Sequence, residues 1–477
     1  MDPAASEVDG VVVGSGPNGL VAAVTLAQAG WRVVVLEEQR QYGGGLRTEE
    51  LTLPGFRHDV CSTAHPLAVA SPAFRDLDLG REGLRLLHSP TPLAHPLSER
   101  SSVLLHRDVE RTAHALGRDG GVWRQVVGGL ARRWPALVDG VLDPFAVPPH
   151  TPLTTLAFGA AGIWPTTAVN RLVLRDGPAR ALLAGAAAHA SLDLREAMTT
   201  GVGLLLVALG HGVGWPVAAG GSQAIADALV ARLRALGGEL VTGHRVRCVD
   251  DLPTSRAVLL DLTPQQVLEV AGHRMPPSYC RRLARWRYGP GSYKIDWALD
   301  APVPWSDPRL ADAATLHVGG SAAQVVQAER EVARGRNPAR PFLIVVQACV
   351  ADPSRAPEGK HTLWAYCHVP HGSDVDMTDA IEQQIERFAP GFRQRVLARH
   401  VMGPAALHAR NANYVGGDIA GGTSDWRQLA ARPVAGRTPW ATPDPRVFIC
   451  SSSTMPGGGV HGMCGRHAAR TVLARLG

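Results

Sequence analysis

The stretch "VVVGSGPNGLVAAV", residues 11–24, joins a β-branched run to a glycine-rich turn and then to an apolar helical pattern. A β-branched run of this kind is typical of a strand buried in a parallel sheet. The three glycines that follow stand in G-x-G-x-x-G order, which lets the backbone turn tightly and approach a pyrophosphate at a helix N-terminus. The stretch predicts a Rossmann-like dinucleotide-binding unit. The expected pyrophosphate contacts are Gly14, Gly16, Pro17, Asn18 and Gly19.

The residues that follow complete a strand–turn–helix–strand unit. Gly30 is expected to end the helix, and the run from Arg32 to Leu36 reads as a second buried strand. Glu37 stands at the end of that strand, where the motif needs a carboxylate that accepts hydrogen bonds from the adenosine ribose hydroxyls. Glu37, with Glu38 beside it, is therefore predicted to bind the ribose.

The identity of the dinucleotide is indicated by "QYGGGLRTEELTLPGFRHDVCSTAHPL", residues 41–67. Its three consecutive glycines, with Thr48 behind them, resemble the G-G-x-x-x-T segment of FAD oxidoreductases in the glutathione-reductase-like superfamily. In that superfamily the segment runs beside the ribityl chain and the pyrophosphate. An arginine usually follows the first two glycines, and here Gly45 stands in its place while Arg47 supplies the positive charge. The contacts that the resemblance implies are Gly44, Gly45, Leu46 and Arg47.

The resemblance extends along nearly the whole chain, through "HDVCSTAHPL" from His58, "GHGVGWPVAAGGSQAIADAL" from Gly210, "GPGSYKIDWALDAPVPW" from Gly289, "NYVGGDIAGG" from Asn413 and the C-terminal "PGGGVHGMCG". The sequence resembles the phytoene-desaturase-like flavoproteins of the amine-oxidase-like FAD superfamily. Within them it resembles bacterial relatives of pyridine nucleotide-disulfide oxidoreductase domain-containing protein 2. The resemblance implies non-covalently bound FAD and a role of the kind found in bacterial natural-product biosynthesis.

The family also accounts for the second glycine loop, in "SSSTMPGGGVHGMCGRHAAR", residues 451–470. In these flavoproteins the chain returns to the FAD domain through a last strand, here Arg446 to Cys450. A glycine loop and a helix then meet the flavin, where helix-end amides stabilise negative charge on the reduced ring. The implied flavin contacts are Gly458, Gly459, Val460 and His461.

The resulting fold class is α/β, with a Rossmann-like FAD-binding domain assembled from discontinuous segments and an α+β substrate-binding domain. Between the glycine loops, Ser222 is a plausible N-cap of a helix, and a short strand around Val246 is expected to contact adenine through its backbone. The FAD-binding segments are 1–70, 214–263 and 400–477. The substrate-binding segments are 71–213 and 264–399.

Composition limits the other classes of function. The chain has 477 residues and a net charge of +6, but its basic residues are dispersed, so we expect no nucleic-acid partner. Seven widely spaced cysteines and the absence of histidine-ligand motifs predict free thiols and no metal site. No secretory signal or apolar run of about 20 residues is visible, which favours a cytoplasmic protein without an integral membrane segment. Peripheral membrane contact stays open, and the sequence does not predict the oligomeric state.

Three residues are candidates for catalysis. Lys294 lies among apolar neighbours in a predicted strand, and amine-oxidase-like flavoenzymes place a lysine in a comparable strand near flavin N5. The alternative is a structural lysine paired with Asp296. His58 and His65 flank the loop after the flavin motif and are candidates because histidine titrates near neutral pH, although hydrogen-bonded structural histidines are commoner. Trp215 is a candidate wall residue of the substrate cavity, or a core residue.

The sequence thus predicts an FAD-dependent oxidoreductase that removes hydride from a C–C or C–N bond of an apolar or natural-product-like small molecule. Oxygen or a quinone is the expected electron acceptor. A nicotinamide-coupled reductase is disfavoured because the chain has no second complete G-x-G-x-x-G unit. The open alternatives are an amine-oxidase-like oxidase and a flavin-dependent isomerase or non-redox flavin-bound protein.

Overall fold

The fold has two large β-sheets with helices packed around them. The structure is a computed structural model that describes residues 8–143, 151–436 and 438–477. The N-terminal segment on which the prediction of cellular location rests lies partly outside the described residues, at positions 1–7.

The described residues contain sixteen strands. In chain order they are β1 (Gly10–Val13), β2 (Val33–Leu36), β3 (Thr48–Glu49), β4 (His58–Asp59), β5 (Leu86–Leu87), β6 (Thr91–Ser98), β7 (Ser101–Leu105), β8 (Val217–Ala218), β9 (Glu239–Val241), β10 (Ala257–Leu260), β11 (Gly291–Leu299), β12 (Ala313–Val318), β13 (Leu343–Val346), β14 (His361–Val369), β15 (Val396–Met402) and β16 (Val447–Ile449).

The same residues contain eighteen α-helices. They are α1 (Pro17–Gln28), α2 (Pro66–Ala70), α3 (Pro72–Leu77), α4 (Val109–Ala115), α5 (Gly120–Arg132), α6 (Trp134–Leu142), α7 (Pro152–Gly162), α8 (Thr166–Leu172), α9 (Gly177–Ala187), α10 (Thr199–Gly212), α11 (Gln223–Ala235), α12 (Pro264–Ala271), α13 (Pro277–Leu283), α14 (Ala322–Ala333), α15 (Thr378–Glu386), α16 (Pro404–Arg410), α17 (Trp426–Ala430) and α18 (Met463–Leu476).

The first sheet is parallel and has the order β16-β10-β1-β2-β9. Val11 lies beside Val258 on one side and beside Val34 on the other, so β-branched side chains fill the centre of the sheet. Its strands come from three separate stretches of the chain, because β9 and β10 join the sheet far from β1, and β16 joins near the C-terminus. This confirms the predicted fold class, a Rossmann-like sheet assembled from discontinuous segments.

The second sheet has seven strands in the order β15-β11-β14-β13-β12-β6-β7 and is mostly antiparallel. Strand β11, next to the edge strand β15, is buried along all nine residues and pairs with β14 and β15. β15 crosses residue 400, so the predicted domain boundary there falls inside a strand of this sheet. Helices α5, α9 and α10 pack together beside β6 and β7 in a second apolar core.

One local prediction was wrong. No strand forms around Val246, because the chain after β9 follows Gln39 and Glu37 only through single hydrogen bonds from the amides of Gly243 and His244 and then runs irregularly. Ser222 is the N-cap residue of α11, as predicted, although its side chain makes no cap hydrogen bond. Its hydroxyl instead donates to the carbonyl of Ser62, at 2.5 Å.

None of the helices in the described part of the chain is both long enough and apolar enough to span a membrane. The apolar stretch from Val202 forms most of α10, which packs in the protein interior beside α5 and α9.

Helix α1 packs very closely against the turn after β1 and against α18. A Cβ on Gly19 would lie 2.2 Å from the carbonyl oxygen of Gly14, and a Cβ on Gly465 would lie 1.8 Å from the carbonyl oxygen of Asn18. Both contacts involve backbone oxygens, which cannot rotate away as a side chain can. These two glycines therefore set how closely α1 packs on its neighbours.

Replacing Gly465 with alanine should force α18 away from α1 and lower the free energy of unfolding by about 3 kcal/mol. The matched control is Gly129→Ala within α5, where a Cβ meets nothing within 4 Å. The control should leave stability unchanged or raise it by up to about 1 kcal/mol. Chemical denaturation measures both variants, and equal effects of the two would contradict the close packing of α1 and α18.

Candidate functional site

The turn after β1 brings the N-terminus of α1 to the edge of the first sheet. Gly14 has φ of +99°, which favours glycine, and its amide donates to the carbonyl of Leu36. A Cβ on Gly16 would lie 2.7 Å from Oδ2 of Asp261. The Oδ1 atom of Asn18 is buried and has no hydrogen-bond partner among the described residues. The turn therefore leaves backbone amides and one unpaired polar atom at the start of a helix.

The carboxylate of Glu37 lies on the other side of this turn and accepts hydrogen bonds from it. Its Oε2 accepts hydrogen bonds from the amide and the hydroxyl of Ser15, at 3.0 and 2.5 Å, and its Oε1 accepts from the amide of Gln39 at 2.9 Å. Glu38 forms an ion pair with Arg245 at 3.1 Å on the surface. Both acids and Val246 line the same cavity as the glycine turn.

The loop from Gly43 to Arg47 packs against the first turn. A Cβ on Gly44 would lie 3.0 Å from Cα of Gly16, and one on Gly45 would lie 2.5 Å from the hydroxyl of Tyr414. Arg47 is buried and donates to the carbonyls of Gly44 and Arg410, at 3.0 and 2.7 Å. Gly44, Gly45 and Arg47 line the cavity, whereas Leu46 is fully buried and does not.

The C-terminal glycine loop lies on the same cavity. Gly458 and Gly459 line it together with Val460 and His461, and a Cβ on Gly458 would lie 2.9 Å from the carbonyl oxygen of Ala420. His461 donates from Nε2 to the carbonyl of Gly457 at 3.1 Å and accepts at Nδ1 from the amide of Met463 at 3.0 Å. Burial lowers the pKa of His461 to about 4. His461 is therefore a neutral residue that holds the loop in place.

The three candidate catalytic residues divide into two groups. His65 lines the cavity and hydrogen-bonds through Nε2 to Ser222 at 2.8 Å, and burial lowers its pKa to about 4. Lys294 and His58 lie behind the cavity wall, where both contact Asp296: Nζ of Lys294 is 2.5 Å from each carboxylate oxygen, and Nδ1 of His58 is 3.5 Å from Oδ1. Burial alone would raise the pKa of Asp296, but Lys294 and His58 hold it below its ordinary value.

Trp364 stands between Lys294 and the cavity. The ammonium of Lys294 lies 5.2 Å from the centre of the indole, and Trp364 itself lines the cavity. Trp215, which the sequence marked as a candidate wall residue, also lines it, and its indole nitrogen donates to the carbonyl of Leu206 at 3.2 Å. Lys294 therefore contacts the back of the cavity wall, at the indole of Trp364, and does not itself line the cavity.

A single cavity of about 610 Å³ connects these parts. It runs from the glycine turn past the loops at Gly44 and Gly458 and ends between apolar and aromatic side chains, which we call the chamber. The chamber is formed by Phe158, Val202, Leu205, Trp215, Trp364 and Tyr366. An extended dinucleotide with one end in the chamber matches this course, because polar backbone lines one end and aromatic surface lines the other.

Sequence patterns missed Asp261, which follows β10 at the centre of the site. Its Oδ2 accepts from the amide of Gly19 at 3.0 Å, within the turn that would hold a pyrophosphate. Burial raises the pKa of Asp261 to about 7, the amide of Gly19 opposes this, and Glu37 adds to it. Among the other cavity residues that sequence patterns did not single out, His189 and Ser191 come from a segment without a recognisable motif, so only the fold brings them to the cavity. Cys61 and Tyr414 also line the cavity, and they lie within the blocks "HDVCSTAHPL" and "NYVGGDIAGG" that carry the resemblance.

One group of possible metal ligands lies elsewhere. Cys248, Asp250 and His273 place ligand atoms within 4.8 Å of one another near the surface. Asp250 is already paired with Nε2 of His273 at 2.8 Å and with Nε of Arg274 at 2.7 Å. The contacts of Asp250 with Arg274 and His273 explain why these side chains lie together.

Comparison with known proteins agrees with the fold. Residues 12–77 match the model of an NAD(P)-binding Rossmann-like domain. The chain is homologous to pyridine nucleotide-disulfide oxidoreductase domain-containing protein 2 of Rattus norvegicus, with 26% identity over 560 aligned positions that cover 98% of this chain and 94% of the rat protein.

Solved structures share the architecture at low sequence identity. An oxidoreductase from Methanosarcina mazei is similar with a TM-score of 0.67 and 16% identity, over 98% of this chain and 100% of that one. Cyclohexylamine oxidase from Brevibacterium oxydans is similar with a TM-score of 0.57 and 14% identity, over 99% and 100%. At these identities the likeness concerns the fold.

Replacing Asp261 with asparagine should remove a pH dependence of stability. Because folding raises the pKa of this carboxyl from 3.8 to about 7, its contribution is present below pH 3.8 and is lost as the pH rises through about 7. The variant should be more stable than the parent above pH 7, by at most about 4 kcal/mol, and similar to it in acid. Thermal melts across this pH range measure the difference, and a parallel offset at all pH values would contradict the assignment.

Proposed function

We propose that this chain is an FAD-dependent oxidoreductase of the desaturase or dehydrogenase type. It removes hydride from a C–C or C–N bond of an apolar or natural-product-like small molecule, with oxygen or a quinone as the final electron acceptor. The observation that carries the proposal is the single cavity that begins at the dinucleotide turn and ends in the aromatic chamber. The homology to an oxidoreductase-domain protein along nearly the whole chain supports it.

The described residues fit non-covalently bound FAD. At Gly14, Gly16 and Gly19 an added Cβ would meet Asp261 or the carbonyl oxygen of Gly14. The turn therefore carries no side chains at these positions, which lets its backbone approach a phosphate group. The unpaired Oδ1 of Asn18 and the carboxylate of Glu37 supply polar partners at the same end. The residues that would hold the group are Gly14, Gly16, Pro17, Asn18, Gly19, Glu37, Glu38, Gly44, Gly45, Arg47, Val246, Gly458, Gly459, Val460 and His461.

Bound FAD would supply the hydride acceptor. The protein contributes position and environment. The N-terminus of α1, with no acidic residue in its first turn, attracts the phosphates. The chamber excludes water with aromatic surface. His65 and His461 line other parts of the cavity, and both stay uncharged because burial lowers the pKa of each to about 4. Neither histidine carries a charge that would attract water into the cavity near neutral pH.

Lys294 is proposed to act on the chamber by positioning Trp364. The strand β11 buries the lysine, Asp296 neutralises it, and the indole lies over its ammonium. A cation held against an aromatic face fixes the ring by about 0.5–2 kcal/mol. The amine-oxidase-like alternative would have Lys294 act from within the cavity, and the intervening Trp364 favours the indirect role.

Gly16→Val should abolish flavin retention, because the added carbons would fill the approach between the turn and Asp261. The matched control is Gly159→Ala in α7, where a Cβ meets nothing within 4 Å. The visible absorbance of each purified protein, before and after heat denaturation, measures bound and released flavin. Full flavin in Gly16→Val would contradict the site, and flavin that stays on the denatured chain would contradict non-covalent binding.

Redox cycling separates the oxidoreductase from the isomerase alternative. Anaerobic mixing of the holoprotein with a substrate should bleach the flavin, and admission of oxygen or a quinone should restore its colour. Substrate conversion without any passage through the reduced spectrum would support the isomerase instead.

Lys294→Met should destabilise the protein by about 3 kcal/mol, because it leaves Asp296 as a buried carboxylate without its closest cation. The double variant Lys294→Met, Asp296→Asn removes that charge and should recover much of the loss. Flavin reduction and reoxidation rates are then measured in the double variant, where slowing of one of them is expected. Unchanged rates in both steps would remove Lys294 from the functional residues.

A further inference from the structure

One wall of the chamber is polar. His189 and Ser191 line the cavity beside Trp215 and Tyr366, and we call these two residues the polar wall. They lie in the short turn after α9, where Ser191 adopts a left-handed conformation with φ of +54°. A buried imidazole lies behind each of them, His317 behind His189 and His368 behind Ser191, and the proposed chemistry uses neither.

Behind Ser191 lies a buried relay. Oγ of Ser191 is 3.1 Å from Nε2 of His368, and Nδ1 of His368 is 2.8 Å from Oε2 of Glu329. Glu329 and His368 are 3% and 4% exposed, so the carboxylate and the imidazole orient each other without water. Burial alone would lower the pKa of His368, but Glu329 raises it above its ordinary value. Ser191 therefore faces the chamber with a hydroxyl whose direction His368 sets.

Two further buried imidazoles, those of His317 and His95, lie behind His189. Nε2 of His189 is 2.9 Å from Nε2 of His317. His95 donates from Nε2 to the carbonyl of Gly320 at 2.7 Å, so Nδ1 of His95 is an acceptor. Nδ1 of His95 and Nδ1 of His317 both face Gly185, at 2.8 and 2.7 Å from the position of its missing Cβ.

This geometry favours one arrangement of the protons. Neither of the two Nδ1 atoms has a hydrogen-bond partner among the described residues. Two lone pairs facing one buried space would repel each other, whereas an N–H attracts a facing lone pair, so we assign the proton of His317 to Nδ1, on the side of His95. Nε2 of His317 then accepts from Nε2 of His189, which leaves Nδ1 of His189 as an acceptor. Burial lowers the pKa of His189 to about 3, so this acceptor stays neutral at physiological pH.

The charges around the cavity restrict what the polar wall can bind. The carboxylates among the described lining residues all lie at the dinucleotide end, and they are Glu37, Glu38, Asp261 and Glu269. A substrate ammonium in the chamber would be desolvated without a carboxylate beside it. A pure hydrocarbon would leave Nδ1 of His189 and the remaining hydrogen-bonding capacity of the Ser191 hydroxyl without a partner, at about 1–3 kcal/mol each.

From this arrangement we infer that the polar wall anchors a neutral oxygen function, a hydroxyl or a carbonyl, of an otherwise apolar substrate. The inference deepens the proposed function and rests on it for the chemistry, since the wall supplies the anchor and not the hydride acceptor. A hydroxyl donates to Nδ1 of His189 and also pairs with Ser191. A carbonyl accepts from Ser191 when the hydroxyl of Ser191 is free to donate.

Three probes on one carbon skeleton test the wall: menthol, menthone and menthylamine. Calorimetric titration of the flavin-loaded protein should show the two oxygen probes binding about tenfold or more tightly than the amine. Equal or tighter binding of menthylamine, or no binding of either oxygen probe, would overturn the inference.

Two variants separate the contacts. Ser191→Gly removes the hydroxyl at a φ that glycine adopts freely. It should abolish the advantage of menthone and reduce that of menthol, which keeps its contact with His189. His189→Phe keeps a ring but removes the acceptor, so it should weaken menthol and leave menthone unchanged. Val202→Ala, on the apolar side of the chamber, is the control and should weaken all three probes alike. The inference is wrong if Ser191→Gly behaves like the control.

The relay behind Ser191 has its own signature. Protonated His368 donates to Ser191 and frees its hydroxyl for a carbonyl, whereas neutral His368 accepts that hydroxyl. Menthone should therefore bind more weakly as the pH rises, and menthol should change little. The groups that act on His368 are Glu329 on α14, Asp418, His189 and Tyr366. Glu329→Gln should move the loss of menthone binding to lower pH, and an unmoved profile would reject the relay.

Flavin content distinguishes the two proposals. The contacts of the polar wall do not involve the dinucleotide, so the same titrations are run on protein without flavin. A protein that never binds flavin but still prefers the oxygen probes would reject the proposed function and keep the wall. A yellow protein without that preference would reject the wall alone.

Discussion

The structure depends on how closely the backbone of helix α1 approaches its neighbours. Gly19 lets the helix start against the carbonyl of Gly14, and Gly465 lets α18 lie against the carbonyl of Asn18. The core of the first sheet forms only at this spacing, since Leu20, Val21 and Val472 share one cluster. The same spacing aims the first amides of α1 into the cavity, so the packing constraint and the binding site are one feature.

The two sheets are tied together by the short strand β4. Asp59 accepts from the amide of Ser222 at the start of α11, and Nη2 of Arg355 lies 2.7 Å from its Oδ2. Burial alone would raise the pKa of Asp59, but Arg355 holds it at about 2, so the pair stays ionised in all but strong acid. The adjacent His58 contacts Asp296 on β11. The walls of the cavity come from both sheets. Contacts that hold the two sheets in a fixed relative position are therefore needed to keep the shape of the cavity.

The sequence predicts those parts of the protein that are specified by interactions between residues close together in the chain. The glycine turn, Glu37 and the C-terminal loop are read from neighbouring residues, because a turn and the helix after it are specified within about ten positions. The strand expected around Val246 was wrong because pairing depends on a partner elsewhere in the chain. Asp261, Ser191 and His368 carry no local motif, and they meet only because β10, the turn after α9 and β14 end at one cavity.

The discontinuous first sheet also bears on how the protein is made. β1 and α1 leave the ribosome long before β16 and α18, yet α1 buries its apolar surface against α18. The nascent chain must therefore keep an incomplete sheet with exposed apolar residues until the C-terminal strand and helix have been synthesised. Capture of the proposed dinucleotide would then be a late, post-translational event, and the folding of this protein is expected to draw on chaperones.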